Sequence, residues 1–170
     1  MSHSNRTIEA LNGRVFSTFP AAVVVPIVDD RGRILLLSTP GRNDRWEVVN
    51  GGVEAGESLL EAALREAREE AGSDVEVRPL GCVHAETFAY DAHVSRMISA
   101  VFVMAYVGGP VVPGDDMASS QYQWLTPAEI AQQEINLLAP MDQTWLVVRV
   151  QQVAKLWWDE NHRLQGPLSG

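Results

Sequence analysis

Between positions 57 and 70 the sequence gathers five carboxylates, Glu57, Glu61, Glu66, Glu69 and Glu70, around Arg65 and Arg68. Carboxylate oxygens are hard donors, and several at one place suit Mg2+ or Mn2+, which bridge protein to substrate phosphates. Whether they meet depends on the element that carries them. Ser58 with Glu61 three residues later makes a capping box, and Gly72 stands where a helix should stop. A helix is therefore predicted over residues 58–71. On its wheel Leu60, Ala63, Leu64, Ala67 and Ala71 share one apolar stripe. With Leu60 at 0°, Glu69, Glu66 and Glu70 project at about 180°, 240° and 280°, beside that stripe. Like charges three or four apart disfavour an isolated helix, and the macrodipole disfavours Glu69 and Glu70 near its C-terminal end. The cluster needs positive charge. A solvated acidic face laced by Arg65 and Arg68 is one answer, and a bound divalent cation is the other.

The surrounding residues read Gly51-Gly52-Val53-Glu54-Ala55-Gly56-Glu57, then seven residues, then Arg65-Glu66-Ala67-Arg68-Glu69-Glu70-Ala71-Gly72. This resembles the Nudix box, G-x5-E-x7-R-E-U-x-E-E-x-G-U, where U is a bulky aliphatic. Gly51, Glu57, Arg65, Glu66, Glu69, Glu70 and Gly72 match, while Ala67 is small and Ser73 polar at aliphatic positions. The resemblance implies an α/β/α sandwich with a mixed sheet. It also implies Mg2+- or Mn2+-dependent hydrolysis of a diphosphate linkage in a nucleoside triphosphate or nucleoside diphosphate derivative. By position, Glu66, Glu69 and Glu70 correspond to metal-binding carboxylates with Glu57 in support, and Arg65 to the arginine that orients them. Glu66 is also a candidate base for the attacking water. Some relatives take that base from a loop outside the box, which adds Asp115, Asp116 and Glu86 as candidates.

The elements needed to position such a helix are legible. Residues 21–28, rich in valine, and 33–38 read as strands joined by the turn Asp29-Asp30-Arg31-Gly32. A polar loop at 40–45 leads to a short strand at 46–49 that runs into Gly51-Gly52. Residues 75–89 and 97–107 read as longer strands, 110–120 as a loop and 121–125 as a short strand. Thr126-Pro127 opens a further helix, and residues 142–159 carry Leu146, Val150, Val153 or Ala154 and Trp157 at helical spacing. Irregular alternation of strands and helices favours an α/β fold. With no repeat or linker in view, one domain is expected, its ordered core covering about residues 15–160.

Composition narrows the function. The formal net charge of −9 disfavours a surface that reads nucleic acid through its phosphates, but leaves room for one small phosphorylated molecule held through a cation. Cys82 is the single cysteine, so there is no internal disulfide and no cysteine zinc cage. It also lies well after the box helix, which disfavours the isomerase branch of the fold with its catalytic cysteine. Cys82 is read as core filler. The polar N-terminal stretch and strand-length apolar runs favour a cytoplasmic protein.

Further candidates have plainer readings beside them. His84 and His93 are read as surface or satisfied core residues. Arg45 and Trp46 flank the box closely enough to border a pocket, with core packing the alternative for Trp46. Asn50 stands where many pyrophosphatase relatives have proline. Tyr90 has the spacing seen in dinucleoside polyphosphate hydrolases of the family, which makes that activity one alternative; a non-catalytic nucleotide-binding domain is the other. On the last helix Trp145, Val147 and Trp158 lie off the inner line, so a homodimer is expected.

Overall fold

The computed structural model describes residues 7–41, 44–158 and 163–165. Its sheet grows from Val- and Leu-rich runs: β3 (Ala21–Val25), β4 (Ile27–Val28) and β5 (Ile34–Ser38). Ahead of these lies a separate hairpin of β1 (Thr7–Glu9) and β2 (Val15–Ser17), whose residues are exposed and outside the main sheet. The predicted strand 21–28 is interrupted at Pro26, which has no N–H to give the ladder. Its carbonyl still accepts from the Met104 N–H at 3.0 Å. In the turn after β4, buried Asp29 accepts from the backbone N–H groups of Arg31 and Arg33.

β6 (Trp46–Glu47) and β7 (Val49–Gly52) lead into α1 (Leu59–Ala71). Then come β8 (Glu76–Phe88), β9 (Met97–Gly108), a 3-10 turn at Asp115–Met117, β10 (Tyr122–Leu125), α2 (Pro127–Gln132) and α3 (Thr144–Lys155). The mixed sheet runs β10-β5-β4-β9-β3-β7, with β6 on β5 and β8 on β9. Both β3 and β4 lie parallel to β9, but β3 pairs onward with β7 and β4 with β5. The sheet therefore forks at Pro26.

Strand side chains alternate between faces, and here both faces are covered. Val23, Val25, Leu35 and Leu37 pack with the alanines of α1, whereas Val24, Val28, Ile34 and Leu36 pack with α2 and α3. That is the α/β/α sandwich.

Four further expectations are corrected. On α1 the capping box at Ser58 is present, but Leu59 and Leu60 are exposed while Ala62, Ala63, Glu66, Ala67, Glu70 and Ala71 are buried. The alanines pack on the sheet as expected, with Leu64 partly buried beside them, but Leu60 turns aside and Glu66 and Glu70 lie within the packed face. The last helix is shorter than predicted and ends before Trp157; position 159 lies outside the described residues. Val147 is buried and Trp158 packs partly against the α3-side core, which removes both from the apolar surplus. Cys82 is exposed rather than core, because register shifts on either side of it turn it outward on β8.

Candidate active site

The fork in the sheet is where the charged residues meet. After β5 the chain crosses the gap through β6 and enters β7, whose Gly51 lies directly against the Glu66 carboxylate. A Cβ on Gly51 would stand 1.9 Å from Glu66 Oε1, so only glycine permits this approach. Arg65 organises the same corner. Its Nε and Nη2 donate to Glu57 at 3.2 and 2.8 Å, and Nη2 also to the Gly52 carbonyl at 2.8 Å. Nη1 donates to Glu66 Oε1 at 2.7 Å and Glu69 Oε2 at 2.8 Å. Three box glutamates are thus gathered on one guanidinium, whose pKa they raise, Glu57 most of all. The hydrogen bond from Arg65, aided by the Glu54 N–H, lowers the pKa of Glu57.

Glu66 and Glu70 are both buried. Burial raises the pKa of Glu66 despite its bond to Arg65. Glu70 has no such cation, and burial pushes its pKa up to about 8, with Glu66, Glu47 and Asp116 adding repulsion. Its opposing contact is the Asn50 N–H, which donates to Glu70 Oε2 at 3.0 Å. A proline at position 50 would have no N–H to give. The departure noted at Asn50 therefore supports a box carboxylate. The Asn50 side chain in turn donates to Glu47 Oε2 at 3.0 Å.

Of these groups Asn50, Gly51, Gly52 and Glu70 line a cleft of about 680 Å3 that Glu47, Glu86, Tyr90 and Asp116 also reach, whereas Glu57, Arg65, Glu66 and Glu69 do not line it. Asp116 faces this cleft, whereas Asp115, at φ 47°, lies with Arg68 and Glu69 in a separate shallow depression. His84 sits beside Glu86 at 3.7 Å and edge-on to Trp145, away from the cleft lining. The His93 and Val94 N–H groups donate to Asp91 in an exposed turn, with Val94 also reaching the cleft. Trp46 is core, and Arg45 does not line the cleft.

Two parts of the cleft were not singled out from sequence. Glu47 carried one available signal, its place three residues before Asn50 on the run into the box. The wall at Leu138–Met141 carried none, since only the chain's return across the sheet brings it there.

A family model described as the NUDIX domain matches residues 18–144. The ADP-ribose pyrophosphatase of Methanocaldococcus jannaschii is 31% identical over 105 residues, covering 61% of this chain and 61% of its own. The dihydroneopterin triphosphate diphosphatase of Escherichia coli is 32% identical over 76 residues, 45% of this chain and 51% of its own. The chain thus spans about half to three fifths of the length of these two relatives. The crystal structure of a UDP-X diphosphatase superposes with a TM-score of 0.63 at 21% identity, over 88% of this chain and 67% of that one. At that identity the likeness concerns the fold. The family match spans most of the chain and includes the whole Gly51–Gly72 segment, so this chain belongs to the NUDIX domain family.

Proposed function

We propose that the protein hydrolyses a diphosphate linkage in a nucleoside triphosphate or nucleoside diphosphate derivative with Mg2+ or Mn2+. The observation that carries this is the cleft's charge. Among its described lining residues are Glu47, Glu70, Glu86 and Asp116, and no lysine, arginine or histidine. An anionic phosphate chain is repelled there until a cation intervenes. The donor set fits such a cation: buried Glu66 and Glu70 are carboxylates whose charged forms lack sufficient compensation. Among the described residues no three acidic, histidine or cysteine side chains already form a cage, and Arg65 engages Glu57, Glu66 and Glu69. In this reading Glu57, Glu66, Glu69 and Glu70 would hold the ion, which would compete with Arg65 for the oxygens of Glu57, Glu66 and Glu69. When bound, the cation supplies positive charge for the phosphoryl oxygens. Arg65 is a positioning residue, and Glu66 takes the proton of the attacking water, with Asp116 as the cleft-facing alternative; Glu86, three strand steps from Gly52, lies too far from the box for that role.

Tyr90 at the cleft supports a second reading, a dinucleoside polyphosphate as substrate. The test is a panel of nucleoside triphosphates, nucleoside diphosphate sugars, ADP-ribose and dinucleoside polyphosphates, with products identified. Turnover is expected with Mg2+ or Mn2+ and none after excess chelator. Nucleotide binding without any product would instead make this a binding domain.

Assembly as a homodimer belongs to the same proposal. Trp145, Val148 and Leu156 are exposed and lie on one stripe along α3, at spacings of three and eight residues. A two-fold contact there would cover them. Light scattering at micromolar concentration should give twice the chain mass, and Trp145→Glu should return a monomer.

A further inference from the structure

Across the sheet, one row of paired residues runs from the catalytic corner to the far wall of the cleft. Gly52 on β7 pairs with Ala22 on β3, Ala22 with Ser99 on β9, and Ser99 with Glu86 on β8. Directly paired residues point to the same face, and all four line the cleft. Three of them are small, which leaves a flat floor between the glycine corner and the Glu86 carboxylate. Three inter-strand steps make that floor about 14 Å long. Beyond Glu86 the wall is apolar and aromatic, with the pair Phe88–Met97, then Tyr90 and Val94.

A flat floor ending in an apolar wall suits a planar ring. The polar group at its end decides which ring. An ionised carboxylate only accepts hydrogen bonds, through two oxygens that match two parallel donors. Adenine and cytosine place an amino group next to a ring nitrogen that accepts, and uracil places one N–H between two carbonyls. Guanine places its ring N1–H beside its 2-amino group. We infer that this cleft selects a bicyclic base with the edge that guanine shares with pterins, a ring N–H between an amino group and a carbonyl, and that Glu86 reads that edge. The inference rests on the proposed hydrolase reading for the other end of the cleft, where the phosphates lie beside the box. Glu86 is a specificity-determining residue here, and His84 at 3.7 Å from Oε2 lies where it limits the swing of the carboxylate.

A good bidentate pair supports discrimination of about 10- to 100-fold in kcat/KM. The wild-type enzyme should therefore prefer GTP over ATP by that factor, with ITP, which lacks the 2-amino group, in between. Glu86→Gln exchanges one acceptor for a donor and should lower the GTP/ATP ratio at least tenfold. Glu86→Asp, which keeps both acceptors, should retain part of it. Dihydroneopterin triphosphate run beside GTP distinguishes a pterin from a guanine source, and a preference for either over ATP supports the inference. Equal turnover of GTP and ATP would overturn it. So would an equal loss on every substrate in Glu86→Gln, which would make Glu86 part of the chemistry. Calorimetric titration with GMP and AMP separates this from the hydrolase reading. If nothing is hydrolysed, yet GMP binds tighter than AMP and Glu86→Gln removes the difference, the inference stands and the hydrolase reading fails.

Discussion

Glu70→Gln should lower kcat/KM about 30- to 1,000-fold, or about 2–4 kcal/mol of transition-state stabilisation, while making the metal-free protein more stable. Both effects come from one fact: a carboxylate is buried where only a backbone N–H opposes its charge. If Glu70 is a ligand, the amide removes a charged oxygen donor at constant size, and charge stabilisation by the cation falls with it. Burial pushes its pKa in the fold up to about 8, well above the ordinary glutamate value of 4.5. Between those values the native chain keeps a proton that the unfolded chain has lost, so native stability declines as pH rises through the window. Glutamine has no such dependence and can still accept the Asn50 N–H. In chelator, thermal melts should show little gain for Glu70→Gln below about pH 4.5 and the largest gain above about pH 8, on the order of 2 kcal/mol. Added Mg2+ should narrow that gap by stabilising the wild type. Glu66→Gln should lose at least as much activity, and more if Glu66 is the base. Glu61 serves as control: its carboxylate accepts from the Ser58 N–H at the helix start, away from the cleft. Glu61→Gln should keep near wild-type kcat/KM. Comparable small losses at 61, 66 and 70 would mean that these carboxylates hold no catalytic ion.

Gly51→Ala should cost about 100-fold in kcat/KM and leave the melting temperature within a few degrees of wild type. The added methyl would lie 1.9, 2.1 and 2.5 Å from Glu66 Oε1, Cδ and Oε2. All three atoms belong to the end of a flexible side chain. The carboxylate therefore swings away rather than the backbone, and the fold is spared. What is lost is placement, because Glu66 leaves both Gly51 and the Arg65 Nη1 that holds it at 2.7 Å. Gly108→Ala, at the end of β9 with open space around the new methyl, controls for glycine replacement as such. Steady-state kinetics beside thermal melts decide the matter. A large fall in melting temperature for Gly51→Ala, with kcat/KM per folded molecule unchanged, would show that the backbone yields and that Glu66 placement is immaterial.

Residue spacing alone determined the helix, its capping box and the set of glutamates and arginine on it, because each of these is a local relation within a few residues. It also determined most strands, since alternation and turn residues are local too, and the box motif identified the family. What tertiary structure decided was which way that helix faces. Wheel geometry put Leu60, Ala63, Leu64, Ala67 and Ala71 inward and the glutamates at the side. Close packing of the alanines on the sheet left Leu60 outside, and this carried Glu66 and Glu70 into the packed face. The fork at Pro26, the supporting bond from Asn50 to Glu70, and the wall at Leu138–Met141 join residues far apart in the chain. Cross-strand register placed Glu86 opposite Ser99, and the 3-10 turn at Asp115–Met117 brought Asp116, not Asp115, to the cleft. Register is a property of paired strands, set by packing on both faces of the sheet, so no single stretch of sequence contains it.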